Sequence, residues 1–287
     1  MRLVLGTAQF GIDYGISNLR GQVSSDEVSE LLSVAMARGI NTLDTAASYG
    51  DSEAVLGEIG VGDFRVVTKL PAIPNDCLTP ANWLEQVVDR SLRNLRLDRV
   101  DVLLLHRPAD LLGAFGPSLS RGLQALTADG LVGKLGYSVY SPEELASLSR
   151  VMWPDCIQAP LNLLDRRLID SGWLDELNDR GTEIHVRSAF LQGLLLMQPE
   201  DRPSYFSRWD SLFAEYDKWL ALIDMSPLEA ALGYVMGVEG IDKVVVGVTS
   251  ARELAEIIDA AACAGVQPPA TLATTEESLI NPSWWPH

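Results

Sequence analysis

VDVLLLH, residues Val100–His106, is apolar at every position after Asp101 until it stops on a histidine. A strand with one solvated face alternates polar and apolar side chains; this one does not, so both its faces must be covered, as in a parallel sheet flanked by helices. Seven other runs fit the same description: RLVLGT (2–7), INTLDTA (40–46), FRVVTKL (64–70), KLGYSVY (134–140), CIQAP (156–160), EIHVRSAF (183–190) and KVVVGVT (243–249). Between them, residues 24–39, 52–59, 79–97, 118–132, 141–152, 165–181, 226–238 and 251–265 carry apolar residues at helical spacing. Several of these segments open on Ser, Thr or Asp and several end near Gly, the signals of helix caps. Eight strands alternating with eight helices over about 250 residues predict an α/β fold, a closed (β/α)8 TIM barrel. The competing arrangement is a doubly wound open sheet, which normally places a glycine-rich GxGxxG turn after its first strand. The turn here reads GTAQFG, Gly6–Gly11, and lacks that pattern.

With 287 residues, 47% of them hydrophobic, the chain has material for one large core, and a single barrel domain over 1–287 is expected. Two segments exceed a minimal barrel. Residues 199–225, rich in Trp, Tyr, Phe and acids, follow the seventh strand and predict a lid or an extra helix. The tail, 266–287, contains ESLINPSWWPH and is expected to pack its aromatic residues back on the barrel, near the substrate mouth. The net charge of −17 opposes phosphate backbones and anionic lipids, so neither nucleic acid nor membrane is expected as a partner. No apolar run approaches the roughly 20 residues of a membrane span, and the start MRLVLGTAQFG lacks a signal core, so a cytoplasmic location is expected. Cys77, Cys156 and Cys263 lack metal-ligand spacing and read as buried reduced thiols, with no metal expected.

The strand assignment places Asp44 near the end of the second strand, Tyr49 in the loop after it, Lys69 at the end of the third and His106 at the end of the fourth. Barrel active sites gather side chains from several strand ends on that face. Singly, each residue has an ordinary reading: a helix cap, a solvated lysine, a structural histidine. Packing gives no reason to end three consecutive strands in Asp, Lys and His. Together they suit proton transfer: Asp44 holds Lys69 charged, the ammonium favours the Tyr49 phenolate, and His106 orients a substrate oxygen.

In these motifs, LDTAASYG, VVTKL and LLLH, the chain resembles the aldo-keto reductases over most of its length. The resemblance implies hydride transfer between NAD(P)H and a carbonyl carbon, with Tyr49 as proton donor, on a small-molecule carbonyl or alcohol, sugar-like in one reading. It also implies cofactor contacts. Gly6 and Thr7 end the first strand, and Asp44 joins them. Ser138 in GYSVY and Gln158 in IQAP match two of three groups that hold the nicotinamide amide, whereas Val139 stands where the family usually has Asn. The ring platform, usually aromatic, corresponds to Arg187, which either stacks on the ring, binds an anionic group or forms a rim ion pair. Ser188, Phe190, Gln192, Gly193 and Leu194 match the segment that clasps the pyrophosphate. Gly247, Val248, Thr249, Arg252 and Glu253 match the segment around the adenosine 2′-position. Gly247 and Glu253 stand where NADPH-dependent relatives have cations, so NADH is expected to serve at least as well as NADPH.

Tyr14 could line the substrate pocket or simply pack its loop, and His185 and His287 read as structural or solvated. Two other functions fit a barrel: a non-catalytic nicotinamide-binding regulatory subunit and an unrelated isomerase.

Overall fold

The computed structural model describes residues 1–263 and 265–286; His287 lies outside the described residues. Eight parallel strands close into one barrel in sequence order: β1 Leu3–Gly6, β2 Thr42–Asp44, β3 Arg65–Leu70, β4 Val100–Leu105, β5 Val132–Ser138, β6 Cys156–Pro160, β7 Glu183–Arg187 and β8 Lys243–Gly247. Closure is made by β1 against β8, with Leu3 beside Val244 and Gly6 beside Gly247. The Val100–Leu105 run is buried except for Asp101, whose carboxylate accepts the Val66 amide at 2.8 Å. Helices start where the sequence provides caps. Ser24 and Glu27 form a reciprocal capping box before Ser25–Ala37, and Ser226 and Glu229 do the same before Pro227–Gly237. The segment 165–181 forms two short helices, Arg167–Asp170 and Trp173–Asp179, because Gly172 between them takes φ 79°.

Alternate strand residues point into the barrel, and their chemistry changes with height. At the bottom, Glu183 accepts from Lys134 at 2.8 Å, from His185 at 2.7 Å and from both ends of the Arg65 guanidinium. Two residues further along β3 comes Val67, which forms an apolar plug with Val102 and Leu104 of β4 and Cys156 of β6. Two further still, Asp44, Lys69, Ser138 and Gln158 make the top polar and buried. The period of two thus turns Arg65, Val67 and Lys69 into three layers with different jobs. Cys156, Glu183 and His185 bring a thiol, a carboxylate and an imidazole within 4.8 Å of one another. Both Glu183 oxygens are already taken by cations there, so the cluster reads as an ion-pair floor.

Outside the barrel, Asp210–Ile223 is a full helix that buries Phe213, Tyr216, Trp219 and Leu220. The tail packs onto the segment before it. Trp285 meets Phe206 edge to face at 4.8 Å, the Trp209 indole donates to Glu276, and the Tyr205 hydroxyl donates to the Ser278 carbonyl. Trp284 is 63% exposed. Among the described residues, neither the 199–225 segment nor the tail lines the large cleft at the top of the barrel; the tail touches Arg167, which pairs with Glu277 and donates to the carbonyl of the wall residue Tyr140 at 3.0 Å.

Burial opposes ionisation of Glu183, but hydrogen bonds from His185, Arg65 and Lys134 outweigh it and hold its carboxyl well below the usual range. A depressed carboxylate stabilises the fold above its ordinary pKa near 4.5 and loses that contribution as pH falls. Glu183→Gln should therefore lower stability at pH 7 by about 2 kcal/mol, less than a fully buried pair because Arg65 and Lys134 keep some solvent. Urea denaturation checks this, and the gap between variant and wild type should narrow below pH 4. A loss under about 0.5 kcal/mol at pH 7 would contradict the floor's structural role.

Candidate active site

Lys69 is fully buried, so its ammonium must find partners inside the protein. It has three N–H groups and three acceptors: Asp44 Oδ1 at 2.6 Å, the Thr45 carbonyl at 2.8 Å and the Tyr49 hydroxyl at 3.5 Å. Burial alone would drive the proton off, but Asp44 first and Tyr49 second more than offset it, and the Lys69 pKa is raised. The other Asp44 oxygen accepts the Gln158 amide at 2.6 Å. That bond fixes the Gln158 side chain with its NH2 toward Asp44, leaving its carbonyl oxygen as an acceptor on the cleft wall.

Tyr49 is seated by two glycines. A Cβ on Gly11 would lie 1.8 Å from the Tyr49 carbonyl, and one on Gly50 would lie 2.2 Å from the Gly11 carbonyl. The helix after β1 and the turn after β2 can approach this closely only because both positions lack side chains. His106, just past β4, is anchored by its amide to the Leu70 carbonyl, and its ring meets Tyr49 edge-on at 5.9 Å. Burial first, then the Lys69 and Arg187 charges, push its pKa down to about 4. Ser48 Oγ lies 3.1 Å from His106 Nδ1, and the His106 ring lines the cleft. Sequence reasoning missed Ser48; its place beside Tyr49 in ASYG was the only signal available.

The cleft beside these residues holds about 610 Å³ and runs from Tyr49 and His106 across the barrel top to Thr249 and Glu256. Its wall contains Gly6, Thr7, Asp44, Ser138, Gln158, Arg187, Ser188, Phe190, Gln192, Gly193, Gly247, Val248, Thr249 and Glu253, and also Tyr14. The loop after β7 is tightly wound. Ser188, Leu191 and Gln192 all take φ between 48° and 61°, and a Cβ on Gly193 would strike Ser17 Oγ at 1.9 Å. Strain of this kind in a cleft-lining loop commonly marks a ligand clamp.

The aldo/keto reductase family model matches residues 2–267. The chain belongs to the aldo/keto reductase family. It is 32% identical over 166 residues to a 6-dehydroglucose reductase of Novosphingobium aromaticivorans, an alignment covering 51% of this chain and 53% of that one. It thus spans about half the length of that relative. It is 24% identical over 281 residues to the uncharacterized oxidoreductase YqkF of Bacillus subtilis, covering 90% of each. Among solved structures, a putative aldo-keto reductase from Pseudomonas aeruginosa superposes with TM-score 0.68 at 25% identity, covering 91% of this chain and 89% of that one. The holo form of an aldo-keto reductase from Bacillus halodurans gives TM-score 0.71 at 21% identity, covering 94% and 88%.

Three sequence expectations for this aldo/keto reductase need correction. Leu194 is fully buried in the core and does not reach the cleft, because the left-handed backbone at Leu191–Gly193 turns it inward. Arg252 faces solvent, 88% exposed, and pairs with Glu256 one helical turn on. Glu253 reaches the wall, but its carboxylate is engaged by the Thr249 amide at 2.7 Å and the Thr249 hydroxyl at 3.0 Å, so it caps the loop as well as facing the cleft. Arg187 stacks on Tyr140 at 4.2 Å and donates to the Val139 carbonyl at 3.0 Å; no carboxylate pairs with it among the described residues. The rim ion pair considered for it is therefore absent from the described residues.

With three histidines in the chain, His106 is easily followed by NMR. Its ring resonances should stay those of neutral imidazole from pH 8 down to about pH 5 and shift only near pH 4. Titration near 6.5, the ordinary value, would show that the ring is not desolvated beside Lys69 and Arg187.

Proposed function

We propose that this chain is an NAD(P)H-dependent oxidoreductase that reduces an aldehyde or ketone to an alcohol, or runs the reverse, with Tyr49 as proton donor. The observation that carries the reading is the buried ammonium of Lys69, whose third N–H faces the Tyr49 hydroxyl at 3.5 Å. A phenol is a weak acid, and a fixed cation beside it stabilises the phenolate left when its proton goes to a substrate oxygen. Catalytic hydrogen bonds of this length commonly shorten when substrate binds. His106, neutral at pH 7, donates a hydrogen bond to the same oxygen without competing for the proton.

The residues present fit a nicotinamide. Gln158 offers a fixed carbonyl acceptor, the Ser138 hydroxyl makes no hydrogen bond among the described residues, and both are buried on the cleft wall. These two would hold the carboxamide, and the bound cofactor would supply the hydride. Tyr14, Tyr140, Gln192 and Arg187 surround the remaining space with hydroxyl, amide and guanidinium groups, which suits a sugar-like polyol. The 6-dehydroglucose reductase relative supports the same substrate class. NADH should serve at least as well as NADPH, since Gly247 and Glu253 bring no cation and Glu253 and Glu256 bring acids to the far end of the cleft. A non-catalytic cofactor-binding subunit would have no need of the three-way Lys69 arrangement.

Tyr49→Phe should keep cofactor affinity while turnover of an aldehyde panel falls roughly 10²- to 10⁴-fold. Wild-type turnover in that variant would remove Tyr49 from the mechanism. For Arg187, kcat/KM should be compared between matched neutral and carboxylated aldehydes. Unpaired in the protein, Arg187 should favour the acid, and Arg187→Gln should erase that preference with little effect on the neutral partner. Equal loss on both would instead assign it to the cofactor ring.

A further inference from the structure

We propose that Arg20, in the loop after β1, is the residue that admits the 2′-phosphate of NADPH, and that Glu27 sets how strongly it does so. The proposal rests on the nicotinamide reading above. If the end of the cleft at Tyr49 and His106 takes the nicotinamide, an extended dinucleotide puts its adenosine at the other end, beside Thr249, Glu253, Glu256 and Ile257. The β8 segment brings no cation to that wall. Two arginines line the cleft among the described residues, and Arg187 is the one near His106. Arg20 is the other, and its guanidinium donates to the Thr249 carbonyl at 3.2 Å.

The loop that carries Arg20 is built to hold it there. Asn18 Oδ1 accepts the amides of Arg20 and Gly21 at 2.9 and 3.1 Å, and Asn18 Nδ2 donates to the Gly21 carbonyl at 2.9 Å. Ser17 reaches the opposite wall and donates to the Gln192 carbonyl at 3.2 Å, while Gln22 ties the loop back to the Phe10 carbonyl at 3.0 Å. The loop therefore connects the β7 clamp with the end of β8. A planar guanidinium suits a phosphate dianion, because it presents paired donors and stays charged. Here one face of that fork is held by Glu27, itself 37% exposed, so carboxylate and phosphate compete for Arg20. This competition gives one site two settings: Arg20 attracts the phosphate, and Glu27, with Glu253 and Glu256 nearby, moderates the attraction.

The test is fluorescence titration of wild type, Arg20→Gln and Glu27→Gln with NADPH and with NADH. Gln at 27 preserves the capping box with Ser24, so the helix start survives. Arg20→Gln should raise the Kd for NADPH roughly tenfold, the size of one partly exposed charged hydrogen bond, and change that for NADH less than twofold. Glu27→Gln should tighten NADPH roughly threefold and leave NADH unchanged. An NADPH-to-NADH affinity ratio that is the same in all three proteins would overturn the proposal and leave the cofactor reading standing. Equal weakening of both cofactors in Arg20→Gln would also overturn it, by showing that Arg20 only holds the loop. Wild type that binds neither dinucleotide would overturn the cofactor reading and this proposal with it.

Discussion

The ion pair between Asp44 and Lys69 is the contact around which the upper barrel is organised. Both side chains are almost fully removed from water, a position that costs several kcal/mol per charge unless every donor and acceptor is met. They are met by the Thr45 carbonyl and the Tyr49 hydroxyl, both from the loop after β2, and by the Gln158 amide from β6. Because a buried charge tolerates no loose partner, the pair fixes Tyr49 on one side and Gln158 on the other. The proposed proton chemistry and the proposed cofactor contact are thereby tied to a single carboxylate.

The barrel can support that pair because its interior is stratified. The charged floor around Glu183 closes the bottom, and Val67, Val102, Leu104 and Cys156 separate it from the polar top. Charges on Arg65 and Lys134 are thus neutralised locally and stay insulated from Asp44. At the top, glycines set the geometry where backbones must nearly touch: Gly11 and Gly50 under Tyr49, and Gly193 under Ser17. The connection after β1 serves both ends of the cleft, its short helix seating Tyr49 through Gly11 and its loop delivering Arg20 to Thr249.

Much of this arrangement was legible in the sequence, for physical reasons. Unbroken apolar runs such as Val102–Leu105 identify strands covered on both faces, and a strict period of two then fixes which residues enter the barrel. Asp44, Lys69 and His106 could be brought together on paper because each lies at or next to a strand end, where topology leaves little freedom. Residues on long loops were not legible. Arg20 meets Thr249 across 229 positions, and no local pattern announces that contact. Leu194 and Arg252 were misplaced for the same reason: their directions depend on left-handed turns at Leu191–Gly193 and on the helix start after Ser250. The Glu183 floor was hidden because its partners come from three different strands, and a charged residue inside a strand usually reads as a solvated edge. The tail's docking on Phe206 and Trp209 followed from its aromatic content, but its distance from the cleft could not be read from composition.

The most direct test of the central claim is the rate of NADH oxidation with a panel of sugar-derived and aliphatic aldehydes by Asp44→Asn at saturating cofactor. An asparagine of nearly the same shape removes the charge that holds Lys69 protonated and turns one acceptor into a donor facing Lys69 or Gln158. The account predicts a fall in kcat of roughly 10²-fold or more with the fold intact by circular dichroism. Turnover within threefold of wild type would show that the buried ion pair is not what empowers Tyr49.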